Sequence, residues 1–512
     1  MEQFIVKHQD KITGMISCFD RIVFKGYLPI SYAESMERFL NRRGVLFKNF
    51  KHFTSLCSDT VTDHAKEAAR KAGRPYIYLN APVRKEERAR EIAQRDGVTK
   101  GLICVLSCVE SCHSFKLKYG EGKPRLAPSS PRCLCLYFYY IDREFGFMHV
   151  RIQTWFPFTV QVYINGHEWL ARKMTQHGIG HVQVENAFVQ IDDCRRAQRF
   201  ADHLAHKKNF PRLLEAFARK TNPLLKDLLH GMHHYWVTDQ AEFATDILFK
   251  DRAALKDLYS HLLKHATVCF SAEDVLTFLG RKLNGNLQGE VMNSFKKRWP
   301  GARVKHRMKG NWIKMYDKHG CVLRIETVIN HPYEFRVRRK AKRQGQWVTG
   351  WYPMAKRVSN LYRYAEVCLS ANRAYLDALA VVDDPAQAYR LLHEICQPAT
   401  RNGRRRRGLN PLRKDDVTLF AAALRGEHFI HGFRNRDLAR HLGIAYAEDP
   451  AQRKRQSARV TRLIQLLHAH HLIAKIPRTR RYRLTFKGAT LMSAAVYLYH
   501  EDFHTLLQEK AA

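Results

Sequence analysis

The sequence predicts a multidomain protein of mixed α+β and α/β type: a mixed-sheet N-terminal domain, a helical middle, a basic β-hairpin region and a C-terminal winged helix-turn-helix. Three observations carry this reading. The 512 residues exceed an ordinary domain about threefold. Apolar patterning passes from strand-helix-strand to helical spacing and back to alternation. The chain then closes with helices and a short basic hairpin.

The elements follow in order. Met15 to Phe24 reads as a strand, Tyr32 to Arg43 as a helix, and Asp59 to Lys71 as a second helix stopped by Gly73. Pro75 to Leu79, Arg84 to Gln94 and Gly101 to Leu106 make a β-α-β progression. Lys118 to Arg132, rich in Gly, Pro and Ser, reads as a loop, and Leu134 to Ile141 with Phe147 to Gln153 as a hairpin. The N-terminal α/β domain therefore spans 1–210. Helical spacing assigns 211–300 to a helical region, 301–360 to basic β-hairpins and 361–398 to helix again. A basic linker at 399–414 precedes a winged-helix domain at 415–499.

Charge narrows the partner. Eighty-seven Lys and Arg stand against 48 Asp and Glu, a net +39, which points to a polyanion. From residue 401 onward, 23 Lys and Arg face 9 acids. No run approaches the roughly 18 apolar residues that span a bilayer, so nucleic acid is expected and a membrane is not. DNA is preferred, with RNA as the alternative, and the pattern sets no oligomeric state. The N-terminal residues lack a secretory pattern, so a cytoplasmic location with reduced cysteines is expected.

Within the C-terminal module, Asp415 to Arg425 reads as one helix, Asn435 to His441 as a second, and a third begins at Asp449-Pro450, an N-cap followed by a first-turn proline. Val460, Leu463, Ile464 and Leu467 form the packing stripe. Gln452, Arg455, Arg459 and Arg462 recur on another face and suit phosphate or guanine contacts. The basic tip of the following hairpin adds Arg478, Arg480 and Arg481. A helical end-cap with a solvated basic face is the competing explanation.

Asn311 to Glu326 alternates about an Asp-Lys-His-Gly turn, a hairpin carrying Lys314 and Tyr316 on one strand and Arg324 and Glu326 on the other. These residue types suit phosphodiester chemistry as nucleophile, phosphate clamps and metal ligand. A half-buried Tyr with a structural Arg-Glu pair is the alternative. Arg336, Arg338 and Arg339, with Trp347, Trp351 and Tyr352 beyond them, interleave cations and rings as single-stranded nucleic acid requires. Asp20, Glu110, Asp142 and Asp317 complete the catalytic candidates with Glu326 and Tyr316. Acids on adjacent strands would hold Mg²⁺ or Mn²⁺. Cys104, Cys108, Cys112, Cys133 and Cys135 lack zinc-ribbon spacing, so buried thiols are expected there and zinc is not.

The hairpin with Tyr316 and Glu326 is similar, over about twenty residues, to a segment of rolling-circle replication initiators and relaxases. The C-terminal module resembles MarR-like winged-helix domains in element order. Ser17-Cys18-Phe19-Asp20-Arg21, Thr154-Trp155-Phe156-Pro157-Phe158, Asn165-Gly166-His167-Glu168-Trp169-Leu170-Ala171 and Gly432-Phe433-Arg434-Asn435-Arg436-Asp437-Leu438 resemble a widely distributed prokaryotic family with no established activity. That resemblance implies a mobile-element or accessory DNA-handling role. The expectation is a DNA-acting protein with metal-dependent strand cleavage; a non-enzymatic winged-helix regulator and an RNA-binding protein remain the alternatives.

Overall fold

The computed structural model describes residues 1–80, 83–119, 124–268, 270, 272–280, 291–297, 302–380, 382, 388–401, 403–476 and 479–500. It is a mixed α/β protein whose chain divides into two units, one of Gly14–Asp246 with Glu326–Leu369, the other of Met1–Thr13, Ile247–Ile325 and Ser370–Ala512. No helix among the described residues is long and apolar enough to cross a membrane.

The first unit is built on a mixed sheet. Its strands, in spatial order, come from Val322–Ile329, Tyr235–Phe249, Ile12–Tyr27, Val160–Asn165, Gly146–Gln153, Arg132–Asp142, Gly101–Ser111 and Tyr76–Tyr78. The expected β-α-β step is present, with Tyr76–Tyr78 parallel to Gly101–Ser111 across the helix Lys85–Arg95. The expected hairpin is present too, as Arg132–Asp142 antiparallel to Gly146–Gln153. The helix expected from Asp59 begins at Phe50. Its buried Phe50, Thr54, Cys57, Val61, Ala65 and Ala69 recur every three or four residues as one stripe.

Three expectations give way. Within the stretch expected to be helical, Tyr235–Phe249 is a 15-residue strand. Its sequence is rich in Tyr, Trp, Val, Thr, Phe and Ile, and from Ala241 onward every residue is buried. A strand covered on both faces shows no alternation, which is why its spacing imitates a helix. The expected loop at 118–132 contains the strand Arg125–Ser129, paired with Ser114–Lys118. Cys112 and Cys133 are joined as a disulfide where thiols are expected.

In the other unit, Ala302–Met308 pairs antiparallel with both Val291–Lys297 and Asn311–Lys318. The expected hairpin turn has positive φ at His319 and Gly320, the primed geometry that matches strand twist. Positions 281–290 and 298–300, also expected to be helical, lie outside the described residues. Toward the C-terminus the basic run forms a small hairpin, Ala399–Arg401 with Arg404–Arg406. Leu392, Ile395 and Leu409 share one apolar cluster with Leu419, Phe420, Leu438, Val460, Ile464 and Leu467. The helices Lys414–Ala423, Gly426–His431, Asn435–His441 and Pro450–Ala469 are followed by the strands Ile473–Lys475 and Tyr482–Leu484, paired antiparallel.

Candidate metal centre and nucleic-acid surfaces

Three neighbouring strands each contribute one acid to a common point in the first unit. Asp20 comes from Ile12–Tyr27, Glu242 from Tyr235–Phe249 and Glu326 from Val322–Ile329, and one carboxylate oxygen of each lies within 4.8 Å of the others. All three are buried, with exposures of 7%, 8% and 1%. Like charges this close, away from water, disfavour one another's ionised form unless a cation or proton intervenes. An all-oxygen donor set at bridging distance suits a hard divalent ion such as Mg²⁺ or Mn²⁺.

The surrounding residues orient the acids. Asn186 donates from Nδ2 to both oxygens of Asp20, at 3.0 and 3.2 Å. The His167 ring is fully buried, with Nδ1 3.1 Å from Asp20 Oδ1 and Nε2 3.5 Å from Asp246 Oδ2. Its position follows from the segment 165–171. Asn165 caps the helix Gly166–Gln176 by accepting from the His167 and Glu168 amides. A Cβ at Gly166 would collide with the Phe19 carbonyl, so only glycine lets the helix start against the Asp20 strand. Gln240 donates to Glu242 at 3.1 Å. Burial opposes the charge of Arg21, but Glu242, Tyr163 and Asp20 outweigh it and hold the guanidinium pKa above its ordinary value.

Of the five expected acids, two meet here, Asp20 and Glu326, and the other three lie elsewhere. Asp142 accepts from the Glu144 and Phe145 amides at 2.8 and 3.0 Å, a turn role. Asp317 accepts from the Gly320 amide at 2.8 Å at the hairpin turn, and burial raises its pKa. Glu110 forms a separate network with Lys85 at 3.0 Å, Arg151 at 3.1 Å and the Tyr137 hydroxyl at 2.8 Å. Burial alone would raise the Glu110 pKa, yet hydrogen bonds from Lys85 and Tyr137 and the Arg151 charge bring it down to about 2. Glu242 is not among the expected acids because its segment reads as helix. The three acids Asp239, Glu242 and Asp246 amid aromatic and β-branched residues were the available signal.

Tyr316 is half-buried on Asn311–Lys318, opposite Arg303. Lys314, also half-buried, lies 5.9 Å from the Trp312 ring. Arg324 is fully buried, so its guanidinium is not on the surface where a phosphate clamp is expected. Arg336 and Arg338 are exposed and Arg339 half-buried on the strand Arg336–Arg343, which pairs with Gln346–Pro353. Trp347 and Trp351 stand exposed opposite Lys342 and Arg338, and Arg339 lies 5.5 Å from the Tyr352 ring. Rings and cations therefore alternate on an open ribbon.

On Pro450–Ala469, Asp449 accepts from the Gln452 amide at 2.8 Å as expected of an N-cap. Val460, Ile464 and Leu467 are buried, while Gln452, Arg455, Arg459 and Arg462 are exposed. The exposed face of this helix presents Arg453, Lys454, Arg455 and Arg462 around a shallow, open surface depression. Arg480 is exposed and Arg481 half-buried, whereas Arg478 lies outside the described residues. The cysteines are dispersed: Cys104 packs with Leu106 and Tyr139, and Cys112, Cys133 and Cys135 form another cluster. No family model, no curated protein and no solved structure matches the chain.

Proposed function

We propose that the protein acts on DNA and cleaves or transfers its strands with a divalent metal held by Asp20, Glu242 and Glu326. The observation that carries this reading is the convergence of three buried carboxylates from neighbouring strands in a chain of net charge +39. Mg²⁺ or Mn²⁺ there would neutralise phosphate charge and lower the pKa of an attacking water. Asn186 and His167 keep the Asp20 carboxylate in place. Arg21 contributes fixed positive charge beside the acids.

The order of the C-terminal helices and hairpin, with an isolated bridge between Phe433 and Tyr482, supports reading this module as a winged helix. In this reading Pro450–Ala469 enters the major groove and presents Arg455, Arg459 and Arg462. The Trp347 and Trp351 ribbon stacks on unpaired bases while Arg338 and Lys342 neutralise phosphates. A mobile-element or replication-initiator role is the biological form of this chemistry.

Incubation of the intact protein with labelled single-stranded and duplex DNA in Mg²⁺ or Mn²⁺, against EDTA, tests the reading. Metal-dependent products that vanish in Glu242→Gln are expected. Binding without cleavage under both metals would instead leave a non-enzymatic regulator, and cleavage or binding confined to RNA would leave an RNA-acting protein. Replacing Arg455, Arg459 and Arg462 together by Ala should weaken duplex binding. The slope of log affinity against log salt should become shallower by up to about 2.7, one counterion-release increment per lost phosphate contact. Unchanged affinity would remove this face from the docking surface.

A further inference from the structure

Glu427, His428 and His441 bring one ligand atom each within 4.8 Å of one another in the C-terminal module, far along the sequence from the acids above. Glu427 and His428 lie on Gly426–His431, and His441 ends Asn435–His441. The short helix-to-helix connection at Gly432 to Arg434 folds the two elements back so that their side chains meet. Glu427 accepts from His441 Nε2 at 2.5 Å and from Arg440 Nη2 at 2.7 Å, with Arg440 Nη2 also 3.3 Å from His441 Nε2. Those contacts explain Glu427 and His441 as an ion-pair cluster. They do not explain His428.

His428 is 1% exposed. Its Nδ1 is 3.0 Å from the Ala423 carbonyl, an acceptor only, so the proton must sit on Nδ1 and the lone pair on Nε2. Nε2 has no hydrogen-bond partner among the described residues and points toward the cluster, 3.8 Å from Glu427 Oε1. Phe433 packs on the ring at 4.6 Å between centroids and fixes its plane. A buried imidazole with one nitrogen anchored to a backbone carbonyl and the other bare is how proteins prepare a metal ligand. Leaving that nitrogen dry and unused would otherwise cost stability.

We propose that His428 Nε2, His441 Nε2 and Glu427 bind a zinc-class divalent transition ion that ties Gly426–His431 to Asn435–His441, the proton that His441 Nε2 shares with Glu427 being released to solvent as the ion binds. Two imidazoles and one carboxylate are a borderline-soft donor set, suited to Zn²⁺ or Co²⁺ and poorly suited to Mg²⁺. Three protein donors leave a further position for water. Arg440, which pairs with Glu427, is half exposed, so solvent can replace that contact when an ion takes the carboxylate. The cysteines lack zinc-ribbon spacing, and Glu427 and His428 are adjacent with His441 following 14 and 13 residues later, which is no recognisable zinc motif.

The test uses full-length protein stripped by chelator and reloaded with Zn²⁺ or Co²⁺. Wild type is expected to retain one equivalent of zinc after desalting, to give the intense visible absorption of low-coordinate Co²⁺, and to unfold at a higher temperature with zinc than without. His428→Gln and His441→Gln should each lose that equivalent and that absorption, while Asp20→Asn keeps both. Should His428→Gln fail to fold, Glu427→Gln at the more exposed edge should bind zinc at least tenfold more weakly than wild type. No zinc in wild type, full zinc in His428→Gln or Glu427→Gln, or loss confined to Asp20→Asn would each overturn the proposal.

Discussion

At Glu110 one carboxylate is met by Lys85, Arg151 and Tyr137, whereas at Asp20, Glu242 and Glu326 three carboxylates crowd one another. Both clusters stand on strands of the same unit. The first matches its negative charge with cations and a hydroxyl, an arrangement that serves the sheet. The second brings three buried carboxylates together with Arg21, His167 and Asn186 beside them, and in the proposed function a divalent cation completes that balance. Partner identity, more than burial or position on a strand, is what distinguishes the two clusters.

The largest expected effect concerns chemistry. Glu326→Gln should lower metal-dependent cleavage at least about 100-fold, since one ligand and one charge are lost. Tyr316→Phe, which keeps the ring and deletes the hydroxyl, should leave the rate within a few-fold. A covalent protein-DNA adduct in wild type that is absent from Tyr316→Phe would move the nucleophile to Tyr316 and reverse this ranking.

Stability should separate the clusters in sign. Glu110→Gln strands Lys85 and Arg151, which are mostly buried, and should cost about 1 to 3 kcal/mol in denaturant unfolding at neutral pH. That contribution has a defined pH window. Because the folded Glu110 pKa lies near 2, below the ordinary 4.5, its stabilisation is full above 4.5 and is lost as pH falls toward 2. The gap between wild type and Glu110→Gln should therefore close across that interval, and a gap that persists at pH 2 would assign the loss to packing.

The smallest effect is the opposite one. In metal-free protein, Glu326→Gln relieves repulsion and should raise stability by about 1 kcal/mol. Mn²⁺ should then stabilise wild type and leave the variant unchanged. A variant less stable than wild type without metal would make Glu326 a structural acid of the Glu110 kind.

The legible parts of the molecule were those with local signals. Asp449-Pro450 marked a helix start, and Asp317 to Gly320 marked a turn, because capping and turn chemistry act within a few residues. Asp20 and Glu326 were visible as acids interrupting apolar strands. Their meeting was not, since spatial neighbours about three hundred residues apart leave no periodic trace. Glu242 stayed hidden for a different reason: its strand is buried on both faces, so the alternation that would betray a strand is absent. Arg324 looked like a surface clamp beside Glu326, but Val322–Ile329 is likewise covered throughout.

The most direct measurement is the divalent-metal titration of DNA cleavage by wild type beside Glu242→Gln, an acid that no sequence motif singled out. The account predicts saturable Mn²⁺-dependent cleavage in wild type, its loss in a folded Glu242→Gln protein, and duplex binding retained by both. Equal Mn²⁺-dependent cleavage by the two proteins would contradict a metal centre built from Asp20, Glu242 and Glu326.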